Sequence, residues 1–326
     1  MEPERKRFKV IITGSRIAEE AMQLLEKTCV VECTPPYLPP EELAARVAAV
    51  KPDALMVRVG KITRAVLQAS PSLRVVAKHG IGVDNIDIPA ATELKIPVLI
   101  SASANFESVA EHALGLMLAL AKDIPYLDGR VRDGYWDKTT YLGRELYGKT
   151  LGLIGFGRIG RRLRELVAPF RMKVLVYDPF LRERGFPSDV TGVETLEPLL
   201  SVSDIVSIHC PLTANTRGLM GRKEFQVMKK SSFLINTARG EVVDEQALIS
   251  ALRDGEIAGA GLDTFGKEPP EEISRLAKAG KTVLSPHIGA FTEEAITRMG
   301  VAAAENILNV LAGNPPNAEC WVNPMG

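Results

Sequence analysis

The stretch LGLIGFGRIGRRL, residues 151–163, decides the predicted fold, because three glycines follow an apolar strand and open a helix. Gly155, Gly157 and Gly160 have the spacing Gly-x-Gly-x-x-Gly. The first glycine permits a tight turn, the second lets a pyrophosphate approach the backbone, and the third lets the helix pack close to the sheet. The N–H groups at the start of such a helix favour phosphate binding. The stretch therefore predicts a dinucleotide site.

An acidic residue at the end of the next predicted strand supports this interpretation. Asp178 ends KVLVYD and lies about 20 residues beyond the glycines, where an acidic side chain hydrogen-bonds the adenosine ribose. A carboxylate there repels a 2′-phosphate, so NAD is the predicted cofactor rather than NADP. Arg182 and Arg184 follow closely and leave a relaxed preference open.

Short apolar runs alternate with helical patterns on both sides of the glycine stretch. The alternation predicts an α/β protein of two doubly wound, parallel-sheet (Rossmann-like) domains with an interdomain cleft. Long helices are expected at 105–121 and 292–312, and a polar, aromatic loop at 128–148. The predicted strands are 9–13, 29–33, 54–59, 73–78, 97–100, 150–155, 173–178, 204–210, 232–237, 258–264 and 282–287.

The composition argues against several classes of partner. Lys plus Arg and Asp plus Glu each number 40, so no overall basic field favours nucleic acid or an acidic membrane surface. No apolar stretch reaches the roughly 18 residues that a membrane span needs. The cysteines match no zinc spacing, and the start of the chain has no signal-peptide pattern. We expect a cytoplasmic protein without a metal, whose reduced thiols are Cys29, Cys33, Cys210 and Cys320.

Three polar residues follow predicted strands of the second half and form a candidate catalytic set. His287 lies in SPHIGAFT, Glu268 in GKEPP and Arg239 in NTARGEVVDE. The carboxyl ends of parallel strands share one edge of a sheet, so the three are expected to converge. Histidine suits proton transfer at a hydroxyl group because it titrates near neutral pH and responds to a neighbouring carboxylate.

Several segments closely resemble the signature segments of the D-isomer-specific 2-hydroxyacid dehydrogenases. The resemblance implies that Arg239 binds the substrate carboxylate and carbonyl, and that His287 exchanges the proton. It also implies that Glu268 hydrogen-bonds His287; related formate dehydrogenases have Gln there. The segments, which run from about residue 54 to the end, are VVAKHGIGVDNIDI, SVAEHALGLMLALA, GKTLGLIGFGRIG, NTARGEVVDEQAL, GAGLDTFGKEPP and SPHIGAFTEEA.

The same resemblance implies a set of cofactor contacts. Arg158 and Ile159 would contact the pyrophosphate, and Asp263 would hold the nicotinamide carboxamide. His209 is expected to support the adenine end or the fold, and His112 to be a hydrogen-bonded histidine between the domains rather than a base. The other implied cofactor-binding residues are Ile81, Cys210, Thr237, Ala238 and Gly289.

The substrate prediction rests on similarity to D-3-phosphoglycerate dehydrogenases, in which basic residues hold the substrate phosphate. Arg58, Lys78 and Lys138 stand at the matching positions and predict a 2-hydroxy or 2-keto acid with a second anionic group. His79, where a small residue is more usual, would reach the far end of the substrate. The substrate carboxylate is expected to bind the backbone amides of Val59, Gly60 and Gly80.

The resemblance also predicts the domain boundaries and the assembly. Residues 1–104 and 291–326 would form a substrate-binding, flavodoxin-like domain, and residues 105–290 the NAD-binding Rossmann domain. A homodimer is expected through the cofactor domain, and a short form without C-terminal regulatory domains.

The expected reaction interconverts 3-phosphoglycerate and 3-phosphohydroxypyruvate with NAD. Alternatives are another 2-hydroxy acid (sulfolactate, hydroxypyruvate, glyoxylate or lactate) and, from another class, an NAD-sensing corepressor-like protein. The lack of long disordered flanks disfavours the last.

Overall fold

Residue contacts divide the chain into two compact units. The structure, a computed structural model, describes residues 7–15, 17–271 and 273–324. The first unit comprises Met1–Asn105 and Phe291–Gly326, and the second comprises Phe106–Ala290. Each unit contains one parallel sheet with its own helices.

The first unit is built on a five-stranded parallel sheet in the order β2-β1-β3-β4-β5. This is the flavodoxin-like order, and the direction of winding changes between β1 and β3. The strands are β1 (Phe8–Thr13), β2 (Cys29–Cys33), β3 (Ala54–Val57), β4 (Val75–Lys78) and β5 (Val98–Ile100). The helices are α1 (Glu19–Glu26), α2 (Pro40–Val50), α3 (Arg64–Gln68), α4 (Ile88–Glu93) and the last helix of the chain, α13 (Glu293–Leu311).

Alternating side chains of the strands bury both faces of this sheet. Val10 and Ile12 of β1 pack on one face, in a cluster that includes Ile307 of α13. Ile11 points to the opposite face and packs in a cluster with residues of α2, α3 and α4. The period of two along a strand explains why almost continuous apolar runs form this sheet.

The second unit is built on a seven-stranded parallel sheet in the order β12-β11-β10-β9-β6-β7-β8. This is the dinucleotide-binding order with one added strand, and the winding reverses between β6 and β9. The strands are β6 (Thr150–Ile154), β7 (Lys173–Tyr177), β8 (Thr191–Gly192), β9 (Ile205–Ile208), β10 (Phe233–Asn236), β11 (Gly259–Leu262) and β12 (Thr282–Leu284). The helices are α5 (Phe106–Lys122), α6 (Ile124–Arg132), α7 (Arg158–Leu166), α8 (Pro179–Arg184), α9 (Leu196–Val202), α10 (Arg222–Val227), α11 (Glu245–Arg253) and α12 (Ile273–Ala277).

The predicted α/β fold with two doubly wound parallel sheets is confirmed, and the elements differ from the prediction in three respects. Most of the strands end one to three residues earlier, which leaves the candidate site residues in the loops that follow them. The two-residue strand β8 was missed because it contains no apolar run. The predicted loop at 128–148 was wrong at its start, where α6 continues to Arg132.

Helix α6 has a clear physical origin that apolar periodicity does not signal. Asp123 has a left-handed backbone conformation that ends α5, and Pro125 stands in the first turn of the new helix. None of the α6 residues is buried, so the apolar face that would predict a helix is missing.

Two further features complete the description. All four cysteines are free thiols. Across residues 7–15, 17–271 and 273–324, no helix is both long enough and apolar enough to cross a membrane.

Candidate active site

The three glycines after β6 have three different surroundings. Gly155 has φ +91°, and a Cβ there would lie 2.8 Å from the backbone nitrogen of Cys210 in the loop after β9. A Cβ on Gly160 would lie 2.6 Å from the carbonyl oxygen of Gly155. In contrast, a Cβ on Gly157 would meet nothing within 4 Å. Gly155 and Gly160 are therefore required by the fold, whereas Gly157 borders open space where a ligand can approach the backbone.

Asp178 lies beside the glycine loop. One carboxylate oxygen accepts a hydrogen bond of 2.8 Å from the backbone N–H of Phe156, and the other accepts one of 2.9 Å from Phe180 at the start of α8. A carboxylate has about four acceptor positions, so both oxygens keep capacity for ribose hydroxyls. The acidic residue is thus fixed at the position where the sequence predicts it.

Residues beyond the neighbouring strands fit a bound dinucleotide. The Thr237 hydroxyl and the Nδ1 atom of His209 are buried, and neither has a hydrogen-bond partner among the described residues. Burial raises the pKa of Cys210 to about 11, so this residue is a neutral thiol rather than a nucleophile. Unpaired buried polar atoms are costly, and a ligand that hydrogen-bonds Thr237 would remove that cost.

The glycine surroundings give a prediction with a built-in control. Gly155→Ala should lower the free energy of unfolding by about 2 kcal/mol or more, because the residue has positive φ and its Cβ would meet backbone. Gly157→Ala should leave stability unchanged and weaken NADH binding. Urea unfolding and fluorescence titration with NADH separate the two effects. Unchanged NADH affinity in Gly157→Ala would place the cofactor elsewhere.

Glu268 and His287 form the centre of the predicted catalytic set. The Nδ1 atom of His287, in the loop after β12, lies 2.6 Å from Oε2 of Glu268, in the loop after β11. Oε1 of Glu268 accepts a 3.0 Å hydrogen bond from the backbone N–H of Phe265. Both carboxylate oxygens are therefore occupied, and the pair has a fixed geometry.

The electrostatics of Glu268 indicate how the pair works. Burial raises the pKa of Glu268, but the hydrogen bond and charge of His287, the Phe265 N–H and the charge of Arg239 lower it, and the net pKa is below its usual value. Glu268 is thus a carboxylate near neutral pH and accepts from Nδ1–H of His287. This arrangement leaves Nε2 of the imidazole to accept or donate the exchanged proton.

The loop that carries Arg239 is held next to this pair. Asn236 accepts from the backbone N–H of Ala238 (3.0 Å) and donates to the carbonyl oxygen of Arg239 (2.9 Å). A Cβ on Gly240 would lie 1.9 Å from the backbone of Phe265, so the loop packs directly on the segment that leads to Glu268. The structure therefore brings Arg239, Glu268 and His287 to one edge of the sheet.

Asp263 also belongs to this edge, where it is hydrogen-bonded within the protein. It is 1% exposed, and its two oxygens accept from the backbone N–H groups of Ile288 and Gly289 at 2.9 and 2.8 Å. A role in holding the nicotinamide carboxamide stays a prediction.

The residues predicted to hold the substrate carboxylate and its second anion lie partly in the first unit, where the winding changes between β1 and β3. The Arg58 guanidinium donates to the carbonyl and hydroxyl oxygens of Ser15 at 2.9 and 2.8 Å. The Lys78 ammonium donates to the carbonyl oxygen of Arg58 at 3.0 Å and to Asn85 at 3.2 Å. The Lys78 ammonium thus contacts the backbone of Arg58, whose guanidinium is bound to Ser15.

The loops beside them carry Val59, Gly60 and Gly80, whose backbone amides are predicted to bind the substrate carboxylate. Thr13 donates its hydroxyl to the carbonyl oxygen of Val59 and accepts from the N–H of Arg58. Gly60 and Gly80 have φ of +84° and +131°, so these loops depend on glycine. Ile81, an exposed residue, follows Gly80.

The two remaining residues predicted to bind the substrate are His79 and Lys138. The His79 imidazole is 8% exposed and packs against α13, with its Nε2 atom 3.7 Å from the position of a Cβ on Gly300. A direct contact with the substrate, which the sequence suggested, would require this buried ring to move. Lys138 is exposed in the second unit, after α6.

Burial of His79 gives a prediction for stability against pH. Burial, with the charge of Arg58 and then of Lys78, lowers the pKa of His79 to about 4. The unfolded state takes up a proton near pH 6.5, whereas the folded state does not until about pH 4, so stability falls as the pH drops through this window. His79→Leu should reduce that fall by up to about 3 kcal/mol in urea unfolding. Equal pH dependence in both proteins would refute the assignment.

The sequence did not identify two polar side chains near His287. Ser108 donates to the carbonyl oxygen of Gly289 at 2.6 Å, and Ser285 donates to Asp263 at 2.6 Å. His112, expected between the domains, hydrogen-bonds Ser285 within the second unit at 2.8 Å. The available signal was that Ser108 and His112 are four residues apart on an otherwise apolar helix face.

Comparison with known proteins assigns this site to a family. A family model described as "D-isomer specific 2-hydroxyacid dehydrogenase, NAD binding domain" matches residues 114–289, more than half of the chain. The chain belongs to this family. The predicted resemblance is therefore confirmed, and the second unit carries the NAD-binding domain.

Relatives and solved structures agree with this assignment. The chain is 39% identical over 307 residues to D-3-phosphoglycerate dehydrogenase of Archaeoglobus fulgidus, covering 94% of this chain and 58% of that protein. It is 41% identical over 296 residues to hydroxypyruvate reductase of Thermotoga maritima, covering 90% of this chain and 95% of that protein. The NAD-dependent formate dehydrogenase of Staphylococcus aureus, solved in complex with NAD, superposes with a TM-score of 0.86 at 26% identity. The superposition covers 98% of this chain and 100% of that chain. The chain thus spans little more than half of the phosphoglycerate dehydrogenase and almost the whole of the hydroxypyruvate reductase.

Proposed function

We propose that this protein is an NAD-dependent oxidoreductase that interconverts a D-2-hydroxy acid and its 2-keto acid. The observation that carries the proposal is the 2.6 Å contact between His287 and Glu268, next to the Arg239 loop and in the same unit as the glycine loop. A proton-transfer pair with a neighbouring cation is what oxidation of a 2-hydroxy acid requires.

Each protein group has a defined task in this proposal. The Arg239 guanidinium binds the carboxylate and the carbonyl oxygen of the keto acid through charge-assisted hydrogen bonds. Nε2 of His287 donates a proton to the carbonyl oxygen during reduction and takes it back during oxidation. Glu268 orients the ring through Nδ1 and stabilises its protonated form. The bound NADH supplies the hydride.

The cofactor residues are proposed from the glycine loop outward. Gly155, Gly157, Arg158, Ile159 and Gly160 would surround the pyrophosphate at the start of α7, where no side-chain cap occupies the helix end. Asp178 would bind the adenosine ribose. The remaining cofactor contacts proposed are Ile81, Cys210, Thr237, Ala238, Asp263 and Gly289.

For the substrate, we propose 3-phosphoglycerate and 3-phosphohydroxypyruvate. Arg58 and Lys78, which lie in the first unit with the Lys78 ammonium on the backbone of Arg58, support a second anionic group, and Lys138 would be the third cation. Both cations donate to protein oxygens in the structure, so a bound anion would add to or replace those contacts. Hydroxypyruvate and glyoxylate are the alternatives that relatives of the chain favour by name.

A panel of 2-keto acids tests the reaction and the substrate together. NADH oxidation should be fastest, as kcat/KM, with 3-phosphohydroxypyruvate. Lys138→Ala should lower this value by about tenfold, which corresponds to one charge-assisted contact, and leave glyoxylate reduction unchanged. Exposed Lys230, in the loop between α10 and β10, provides the matched control in Lys230→Ala.

Equal losses for both acids in Lys138→Ala would argue against an anion pocket. NADH binding without turnover of any acid would refute the dehydrogenase and favour an NAD sensor.

We further propose a cytoplasmic homodimer with its interface on the second unit. Large apolar side chains are exposed on α6 and in the segment that follows it, and covering them would be favourable. Trp136 is 76% exposed and Leu142 is 92% exposed. Four free thiols accord with a reducing compartment. Residues 1–104 with 291–326 would bind the acid, and residues 105–290 the cofactor.

A further inference from the structure

The loop that carries His287 contacts a group of buried and half-buried polar side chains, of which the proposed function uses only Asp263, as a cofactor contact. We call Ser108, His112, Asp263 and Ser285 the support cluster. All four lie in the second unit, as does His287. His287 has φ +55°, an unfavourable backbone conformation for a residue with a side chain. Such a conformation persists only where the surrounding contacts impose it.

Asp263 makes three of those contacts. One oxygen accepts from the backbone N–H of Ile288 (2.9 Å) and from the hydroxyl of Ser285 (2.6 Å). The other accepts from the backbone N–H of Gly289 (2.8 Å). The donors lie on both sides of His287, so a single buried carboxylate fixes the loop before and after the catalytic ring.

His112 extends the cluster to α5. Its Nε2 atom lies 2.8 Å from the hydroxyl oxygen of Ser285 and 3.4 Å from Asp263. Burial raises the pKa of Asp263, but its hydrogen bonds with His112, Ser285 and the Ile288 and Gly289 amides bring it below the usual value, so the carboxylate only accepts. The Ser285 proton therefore points to Asp263, and the Ser285 oxygen accepts from Nε2–H of His112.

Ser108 holds the other end of the loop from the same helix. It lies one turn before His112, on the same face, and its hydroxyl donates to the carbonyl oxygen of Gly289 at 2.6 Å. A Cβ on Gly289 would lie 2.9 Å from Asp263 and 3.5 Å from His112, so the loop packs tightly on the cluster. Helix α5 thus contacts the loop at Ser285 and at Gly289.

We propose that His112 and Ser108 are positioning residues for His287, acting through Ser285, Asp263 and the backbone of residues 288 and 289. The effect on catalysis rests on the proposed function. His112 and Ser108 are additional to Arg239, Glu268 and His287, to which that function assigns the chemistry. It also assigns Asp263 to support of the loop, whatever its relation to the nicotinamide.

A matched pair of variants tests the proposal. His112→Leu removes the Nε2 donor at similar size, whereas His112→Gln places an amide N–H near the same position. Glu111→Leu, at an exposed neighbouring position on α5, is the control. For each protein we would measure amide hydrogen exchange of residues 285–289, the kcat and KM for the keto acid, and the Kd for NADH.

The expected result is specific to positioning. In His112→Leu, amide exchange at Ile288 and Gly289 should accelerate by about tenfold or more. The variant loses the hydrogen bond from Nε2 of His112 to Ser285, which in turn donates to the Asp263 carboxylate. The kcat should fall by about 10- to 100-fold, because catalysis is sensitive to small displacements of the acid/base, while the Kd for NADH stays the same. His112→Gln should recover most of both losses, and Ser108→Ala should accelerate exchange at Gly289.

Unchanged exchange at Ile288 and Gly289 in His112→Leu would overturn the proposal. It would also be overturned if His112→Gln restored the slow exchange but lost as much kcat as His112→Leu. If the wild-type protein reduces no keto acid, the proposed function fails, and the exchange measurements still decide the role of the cluster. If His112→Leu does not fold, Ser108→Ala and His112→Gln provide the decision by the same two readouts.

Discussion

His287→Ala is expected to lower kcat by about 10³- to 10⁴-fold, the upper range for loss of a positioned general acid/base. The imidazole is the group whose Nδ1 contacts Glu268 at 2.6 Å and whose Nε2 is left for the substrate proton. The ring lies in the loop after β12, whereas the glycine loop follows β6, so the Kd for NADH should be unchanged. Steady-state kinetics and an NADH titration on the same preparation measure both quantities.

Glu268→Gln is the matched comparison for this variant. Glutamine can still accept from the Phe265 N–H, but it does not stabilise a protonated imidazole as a carboxylate does. The loss in kcat should be smaller than for His287→Ala, and the alkaline limb of the rate profile for keto acid reduction should shift to lower pH. Turnover of His287→Ala near the wild-type rate would show that another group exchanges the proton.

Arg239→Ala is expected to lower kcat/KM by about 10²- to 10³-fold, because the substrate carboxylate and carbonyl lose a charged, bidentate hydrogen-bond donor. Arg239→Lys should recover only part of this loss, since an ammonium does not reproduce the planar guanidinium. The loop itself should remain in place, because Asn236 fixes it through backbone contacts that involve no side chain of residue 239.

The control for this variant is Arg253→Ala, which removes an exposed arginine at the end of α11 in the same unit. It should leave kcat/KM unchanged. Free guanidinium ion added to Arg239→Ala should restore part of the activity and should not affect Arg253→Ala. Similar kcat/KM values for Arg239→Ala and the wild type would remove Arg239 from the site.

Strong local signals explain why so much of the fold was predictable. The strand, glycine and helix pattern around Gly155 requires a particular backbone, and the structure shows that a Cβ there would meet backbone atoms. The apolar runs of β1 and β6 are buried on both faces, and such runs form parallel sheets. Helix α6 was not predicted, because none of its residues is buried.

The limits of the site prediction have a similar physical basis. Residues that follow strands were found because topology alone places them at one sheet edge, as for Arg239, Glu268 and His287. Topology does not specify which direction a side chain takes from that edge. For His79, which the sequence predicts to contact the substrate, the structure shows a ring that packs against α13. The contacts of His112 join residues about 170 positions apart in the sequence, and no local pattern specifies them.

The configuration of the product tests the central claim most directly. The wild-type protein, supplied with NADH and a panel of 2-keto acids that includes 3-phosphohydroxypyruvate, should oxidise NADH and form the 2-hydroxy acid. Chiral chromatography of that product should show the D-isomer alone, with one molecule formed for each NADH consumed. Formation of the L-isomer, or no NADH oxidation with any acid of the panel, would contradict the account.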